Sequence, residues 1–191
     1  IKTIQVKVNG AWGEPPVMLL RGGHRVDISF DDLQPEYERY IYTITHCNAD
    51  WTQSDLLRSE YMTGFDEQRI DDYEPALGTE VKYCHYRLTL PNSEVQLLVS
   101  GNYKVEIFED GEEEPVAQAC FSVIEPKVGV DVEVTANTDI DTYAQHQQVN
   151  FAVNYSGYEV SNAVSEFKYV VMQNGRWDSH VKDLRPSLMQ I

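Results

Sequence analysis

Among the side chains between positions 46 and 72 whose types bind metals or move protons are His46, Asp50, Asp71 and Asp72, carried by His46-Cys47-Asn48-Ala49-Asp50-Trp51 and, after Glu60-Tyr61, by Ile70-Asp71-Asp72-Tyr73. Brought together, an imidazole and carboxylates would ligate a metal. Two carboxylates held roughly 5–10 Å apart would instead perform glycoside hydrolysis. The plainer alternative is structural: Trp51, Tyr61, Phe65 and Tyr73 plug one end of a β-structure, and the carboxylates cap turns, where Asp is an ordinary residue. His85 is the one imidazole on the half-polar face of the strand read from Val81 to Leu90. A lone imidazole lacks the co-ligands a metal needs, so it reads as a hydrogen-bonded sheet histidine. No GxSxG, no HExxH and no glycine loop able to cradle phosphate occurs. These residues assign no catalytic or metal site and no cofactor, and the chain reads as a non-enzyme.

The elements that would position these groups are strands. Ile4, Val6 and Val8 alternate with polar neighbours, as do Val26, Ile28 and Phe30. Tyr103, Val105 and Ile107 repeat the pattern, followed by Ala117, Ala119, Phe121 and Val123. Period two is the mark of a strand with one face on a core and one in water. Tyr40 to Cys47 and Val95 to Val99 are apolar or aromatic on both faces and read as central strands. Turn chemistry separates the runs at Asn9-Gly10, Gly22-Gly23, Pro91-Asn92 and Gly101-Asn102, and the acidic segment 109–115 reads as a hairpin tip. Helix signals are confined to Thr52–Met62, room for one or two turns with Leu56, Leu57 and Tyr61 inward.

The fold class predicted is all-β: an immunoglobulin-like β-sandwich followed by the start of a second one. The seam falls at Ile124-Glu125-Pro126-Lys127-Val128-Gly129, giving a first domain over 1–125 and a partial second sandwich over 128–191. Strands of the second domain are expected at Val130–Val134, Val149–Tyr155 and Phe167–Val171, the last closing on the hairpin signal Asn174-Gly175.

Composition excludes several partners. Fifteen Lys and Arg against 31 Asp and Glu leave a net charge of -16. Nucleic-acid affinity depends on cationic side chains releasing counterions, so this surface repels phosphate backbones and anionic lipid alike. No apolar stretch reaches the roughly 20 residues that span a bilayer, so direct membrane insertion is not expected. Cys47, Cys84 and Cys120 cannot all pair within one chain and have no zinc-site spacing. The chain begins at Ile1 without an initiator Met, and a signal peptide removed in maturation leaves no trace. Trp12 and Trp177 each follow a turn, where an exposed ring would stack on a sugar or anchor a protein. A carbohydrate-binding or other adhesive module is therefore the alternative function.

Taken in order, His46-Cys47-Asn48-Ala49-Asp50-Trp51, Ser54, Ser59-Glu60-Tyr61, Gly64-Phe65 and Ile70-Asp71-Asp72-Tyr73 resemble the signature of the type IX secretion system plug protein family. The resemblance continues through His85-Tyr86, Leu90-Pro91-Asn92, Ser100-Gly101-Asn102-Tyr103, Glu125-Pro126-Lys127-Val128 and Gln173-Asn174-Gly175-Arg176-Trp177-Asp178. It implies a bacterial protein exported to the periplasm by a signal peptide outside this sequence. There it would close the periplasmic mouth of the outer-membrane translocon barrel, a protein–protein role without turnover. His46, Asp50, Trp51, Glu60, Tyr61, Asp71, Asp72, Tyr73, His85 and Trp177 are the signature positions, marking either fold or interaction surface.

Overall fold

The structure, a computed structural model, describes residues 1–34, 37–136, 138, 146–174 and 176–187, with the side chain of Trp177 outside that set. The chain divides into two compact units, Ile1–Glu125 and Pro126–Ile191. The fold is all-β.

Among the described residues the first unit holds nine strands: β1 (Lys2–Val8), β2 (Val17–Leu19), β3 (Val26–Asp32), β4 (Tyr40–Cys47), β5 (Gln68–Arg69), β6 (Asp72–Pro75), β7 (Cys84–Leu90), β8 (Gly101–Glu109) and β9 (Ala117–Ile124). One sheet has the order β1-β3-β7-β6 and the other β2-β9-β8-β4-β5. All pairings are antiparallel except β2 with β9, where Val17 sits beside Ser122 and Leu19 beside Ile124. The two sheets form an all-β sandwich. The alternating residues of both sheets meet in one core: Val26, Ile28 and Phe30 against Tyr40, Tyr42, Tyr103, Val105, Ile107 and Phe121. Phe30 lies stacked 5.1 Å from Tyr86 and edge-on 5.2 Å from Tyr40, so aromatic rings bridge the two sheets.

Several expected elements differ. Val95–Val99 is not a strand; it crosses from β7 in one sheet to β8 in the other, with a single bridge from Leu97 to Met62. Its apolar residues are there to roof the core: Val95 and Leu97 are buried. The strand read from Val81 starts only at Cys84 and leaves Val81 exposed. The helix of Thr52–Met62 shrinks to α1 (Arg58–Tyr61), in which Tyr61 is buried while Leu56 and Leu57 face out. Ile4 is exposed because the β1–β3 register shifts between Lys2 and Gln5, at Thr3 with φ +52°.

In the second unit β10 (Gly129–Thr135) pairs antiparallel with β11 (Gln148–Asn154). A helical turn α2 (Ala163–Glu166) and a 3-10 turn at Trp177–Ser179 follow. The strand expected at Phe167–Val171 is reduced to one bridge, Val171 to Val181, closed by two backbone hydrogen bonds of 2.9 Å. Asn174 has the positive φ of a tight turn, +54°, whereas Gly175 lies outside the described residues.

Candidate functional site

Three signature segments far apart in sequence meet at one end of the first sandwich, and His46 is their junction. The ring is buried where β4 ends. Its Nε2 lies 3.1 Å from the Ser100 carbonyl oxygen, which only accepts, so Nε2 carries a proton and donates. Nδ1, 2.8 Å from Ser54 Oγ, then accepts from that hydroxyl in the neutral ring. Ser100 Oγ in turn donates to Glu125 Oε2 at 2.9 Å, tying the last residue of the unit into the same chain of bonds. Tyr103 meets the imidazole edge-on at 5.1 Å and Tyr61 packs over it at 5.6 Å. Gly101 has φ +148°, and a Cβ built there would lie 2.1 Å from His46 Nε2. Glycine at this position lets the ring approach the backbone closely enough to bond it.

The long connection after β4 is ordered by its own polar groups. Asp50 Oδ1 accepts from the backbone N–H of Thr52 at 3.2 Å and from its hydroxyl at 2.6 Å, while Trp51 sits at φ +66°. Glu60 Oε2 accepts from the Leu57 N–H at 2.7 Å, capping α1. Tyr61 is buried and its hydroxyl donates to the Ile44 carbonyl at 3.0 Å. Trp51 is half-buried, but Phe65 is 79% exposed and Tyr73 lies on the other sheet. Of the four aromatics expected to plug this end, Tyr61 belongs to the buried core and Trp51 is half-buried.

His85, Asp72 and Tyr73 occupy the outer region of the β1-β3-β7-β6 sheet. His85 Nδ1 stands 2.6 Å from Asp31 Oδ1, a carboxylate that also accepts from the Thr3 hydroxyl. Beside this pair Arg87 bridges Glu74 at 3.1 Å and Asp72 at 3.9 Å. Tyr73 stacks on Tyr37 with centroids 4.3 Å apart. Asp71 is exposed at the crossing between the sheets. Burial alone would raise the Asp31 pKa, but the Thr3 and His85 hydrogen bonds and the His85 charge outweigh it and hold the carboxyl below its ordinary range. A carboxylate depressed in the folded state stabilises fully above its unfolded value of about 3.9, and loses that contribution as pH falls through the lower folded value. Asp31→Asn is therefore expected to flatten the acid limb of stability as pH falls from about 5 through and below the ordinary carboxylate range. Thermal melts across that window check this; parallel acid limbs for wild type and variant would refute it.

His46, Asp50, Asp71, Asp72 and His85 do not converge, and among the described residues no three His, Cys, Asp or Glu side chains are grouped to hold a metal. Cys47 and Cys84 are buried and Cys120 half-buried, all as free thiols. Burial pushes the Cys47 and Cys84 thiols up, away from the reactive thiolate. Trp12 is exposed, but the Lys7 ammonium lies 3.4 Å from its ring centroid and occupies one face. The residues that sequence reasoning overlooked are Asp31 and the Ser100–Glu125 link. For Asp31 a signal existed: Asp27, Ser29 and Asp31 alternate on β3 as His85, Arg87 and Thr89 do on β7, so polar faces had to pair.

A family model described as the type 9 secretion system plug protein 1st domain matches residues 1–125. Among solved structures, a hypothetical protein from Parabacteroides merdae ATCC 43184 superimposes with a TM-score of 0.94 at 44% identity, over 99% of this chain and 48% of that one. This chain thus spans about half the length of that protein. An alkylpurine DNA glycosylase, AlkC, from Pseudomonas fluorescens reaches a TM-score of 0.32 at 12% identity over 63% of this chain and 30% of that one, too slight to argue from. No curated protein matches the chain.

Proposed function

The chain belongs to the type 9 secretion system plug protein family, and from that premise we propose that it is a non-catalytic periplasmic component closing the periplasmic mouth of the outer-membrane translocon barrel. The observation that carries this reading is the family match over residues 1–125, which coincides with the compact unit Ile1–Glu125. Supporting it, the signature residues with chemical potential are engaged in holding the fold: His46 and Tyr61 are buried, Asp50 and Glu60 cap backbone groups, and His85 pairs with Asp31. Among the described residues no helix is long and apolar enough to cross a membrane.

Contact with the barrel then falls to surface residues, and of the signature aromatics described Phe65 is the one its own fold leaves most open, 79% exposed against 41% for Tyr73. It stands beside Arg58, which donates to the Gly64 carbonyl and pairs with Asp66, so the backbone under the ring is anchored. A large aromatic presented from an anchored loop is the pattern of an interface anchor. The test is a pull-down of tagged full-length protein from its native host, with mass spectrometry of what co-purifies. Recovery of the translocon barrel is expected. Phe65→Asp should cut that recovery about tenfold or more while its melting stays within about 0.5 kcal/mol of wild type. An intact barrel that never co-purifies would refute the plug reading and bring glycan binding forward.

A further inference from the structure

The second unit carries a ribbon written to cover a core. Val130 pairs with Val153, Val132 with Phe151 and Val134 with Val149. Six apolar side chains therefore share one face, while Asp131, Glu133, Asn150 and Asn154 take the other. Alternation in phase on both strands fixes which face must leave water. Yet Val130, Val132 and Val134 are 56%, 62% and 57% exposed. Tyr169 meets Phe151 at 5.5 Å and Phe167 meets Tyr155 at 5.2 Å, so these ring contacts fall on the β11 side. A two-stranded ribbon is marginal by itself in water, and a contiguous apolar patch marks a contact surface.

What covers it is narrowed by two observations. The Parabacteroides merdae protein matches 99% of this chain at a TM-score of 0.94, yet is about twice as long. As many residues again are thus present in a relative that has this same ribbon. A second copy is disfavoured, since each chain carries a net charge of -16 and two copies repel. We propose that further strands of the same polypeptide, lying outside residues 1–191, pack on the face formed by Val130, Val132, Val134, Val149, Phe151 and Val153 and complete a second β-sandwich. This inference stands apart from the secretion reading.

Hydrogen exchange on the unaltered full-length protein, monomeric by light scattering, tests it without any substitution. Amides of Val130–Thr135 and Gln148–Asn154 are expected to exchange at least about a hundredfold slower than unprotected amides. A photo-crosslinker in place of Val132 then identifies what lies over the face. Adducts to peptides of the same molecule outside residues 1–191 support the proposal. Adducts to residues 1–125, to a second copy or to another protein overturn it, as does fast exchange in the full-length monomer.

Discussion

Gly101→Ala is expected to destabilise the first unit by about 2–6 kcal/mol, combining a non-glycine residue at a glycine-only backbone conformation with overpacking against a locked ring. The magnitude follows from where the new methyl lands. It would lie 2.1 Å from His46 Nε2, and the ring cannot yield freely. Both nitrogens are engaged, by Ser54 and Ser100, and Tyr61 and Tyr103 pack against it. Moving the imidazole would also leave the Ser100 carbonyl and Ser54 hydroxyl to find other partners, at about 1–3 kcal/mol for each group left buried and unpaired. Denaturant titration of the full chain, following the transition of the first unit, measures this. A double-mutant cycle separates the causes: with His46→Ala already in place, Gly101→Ala should cost only the backbone contribution of about 1–3 kcal/mol. Equal costs in the two backgrounds would mean that the ring and the glycine are not coupled.

This pair also shows what a single sequence can and cannot disclose. The alternation of Val26, Ile28 and Phe30, and of Tyr103, Val105 and Ile107, located strands whose inward residues are fully buried, because period two is written locally. The acidic tip between β8 and β9 was equally legible, with Glu112 N–H bonding the Glu109 carbonyl at 3.0 Å. The run Val95–Val99 misled because its composition reports burial, and burial is the same whether a chain lies in a sheet or crosses over its end. Ile4 misled because a register shift inverts which residues face the core, and nothing in the alternation announces it. At the site, the loop after β4 could be read as structural, yet the partner of His46 could not. Ser100 is 54 positions away, and Ser100-Gly101-Asn102 looks like any turn until the imidazole stands against it. Phe65 is the reverse case: grouped with the buried aromatics by type, it is placed outside by a glycine turn at Gly64, φ +101°.

Tyr103→Ala should cost about 3–5 kcal/mol, the range for truncating a buried aromatic, and Tyr103→Phe only about 0.5–1.5 kcal/mol, the net value of a hydrogen bond. The ring is fully buried, stacked on Phe121 at 5.5 Å and edge-on to His46, so most of the loss belongs to packing. The hydroxyl has a distinct task. It lies 2.7 Å from the carbonyl of Val99, four residues upstream, and 3.3 Å from that of Tyr61. A tyrosine near the start of a strand, bonding back to the backbone just before it, also occurs in immunoglobulin-type sandwiches, as the tyrosine corner. There a disulfide between the two sheets shares the load. Here the cysteines are free, and Ile28, Phe30 and Val105 fill the centre of the core. Without that covalent tie, the corner and the aromatic cluster must hold the crossing segment 91–100 onto the sheet. Tyr103→Phe should accordingly speed hydrogen exchange at Leu98 and Gln96, whose amides bond Tyr61 and Thr63, with little change in global stability. If Tyr103→Phe instead lowers stability as far as Tyr103→Ala does, the carbonyl bonds rather than the buried ring hold this end of the sandwich together.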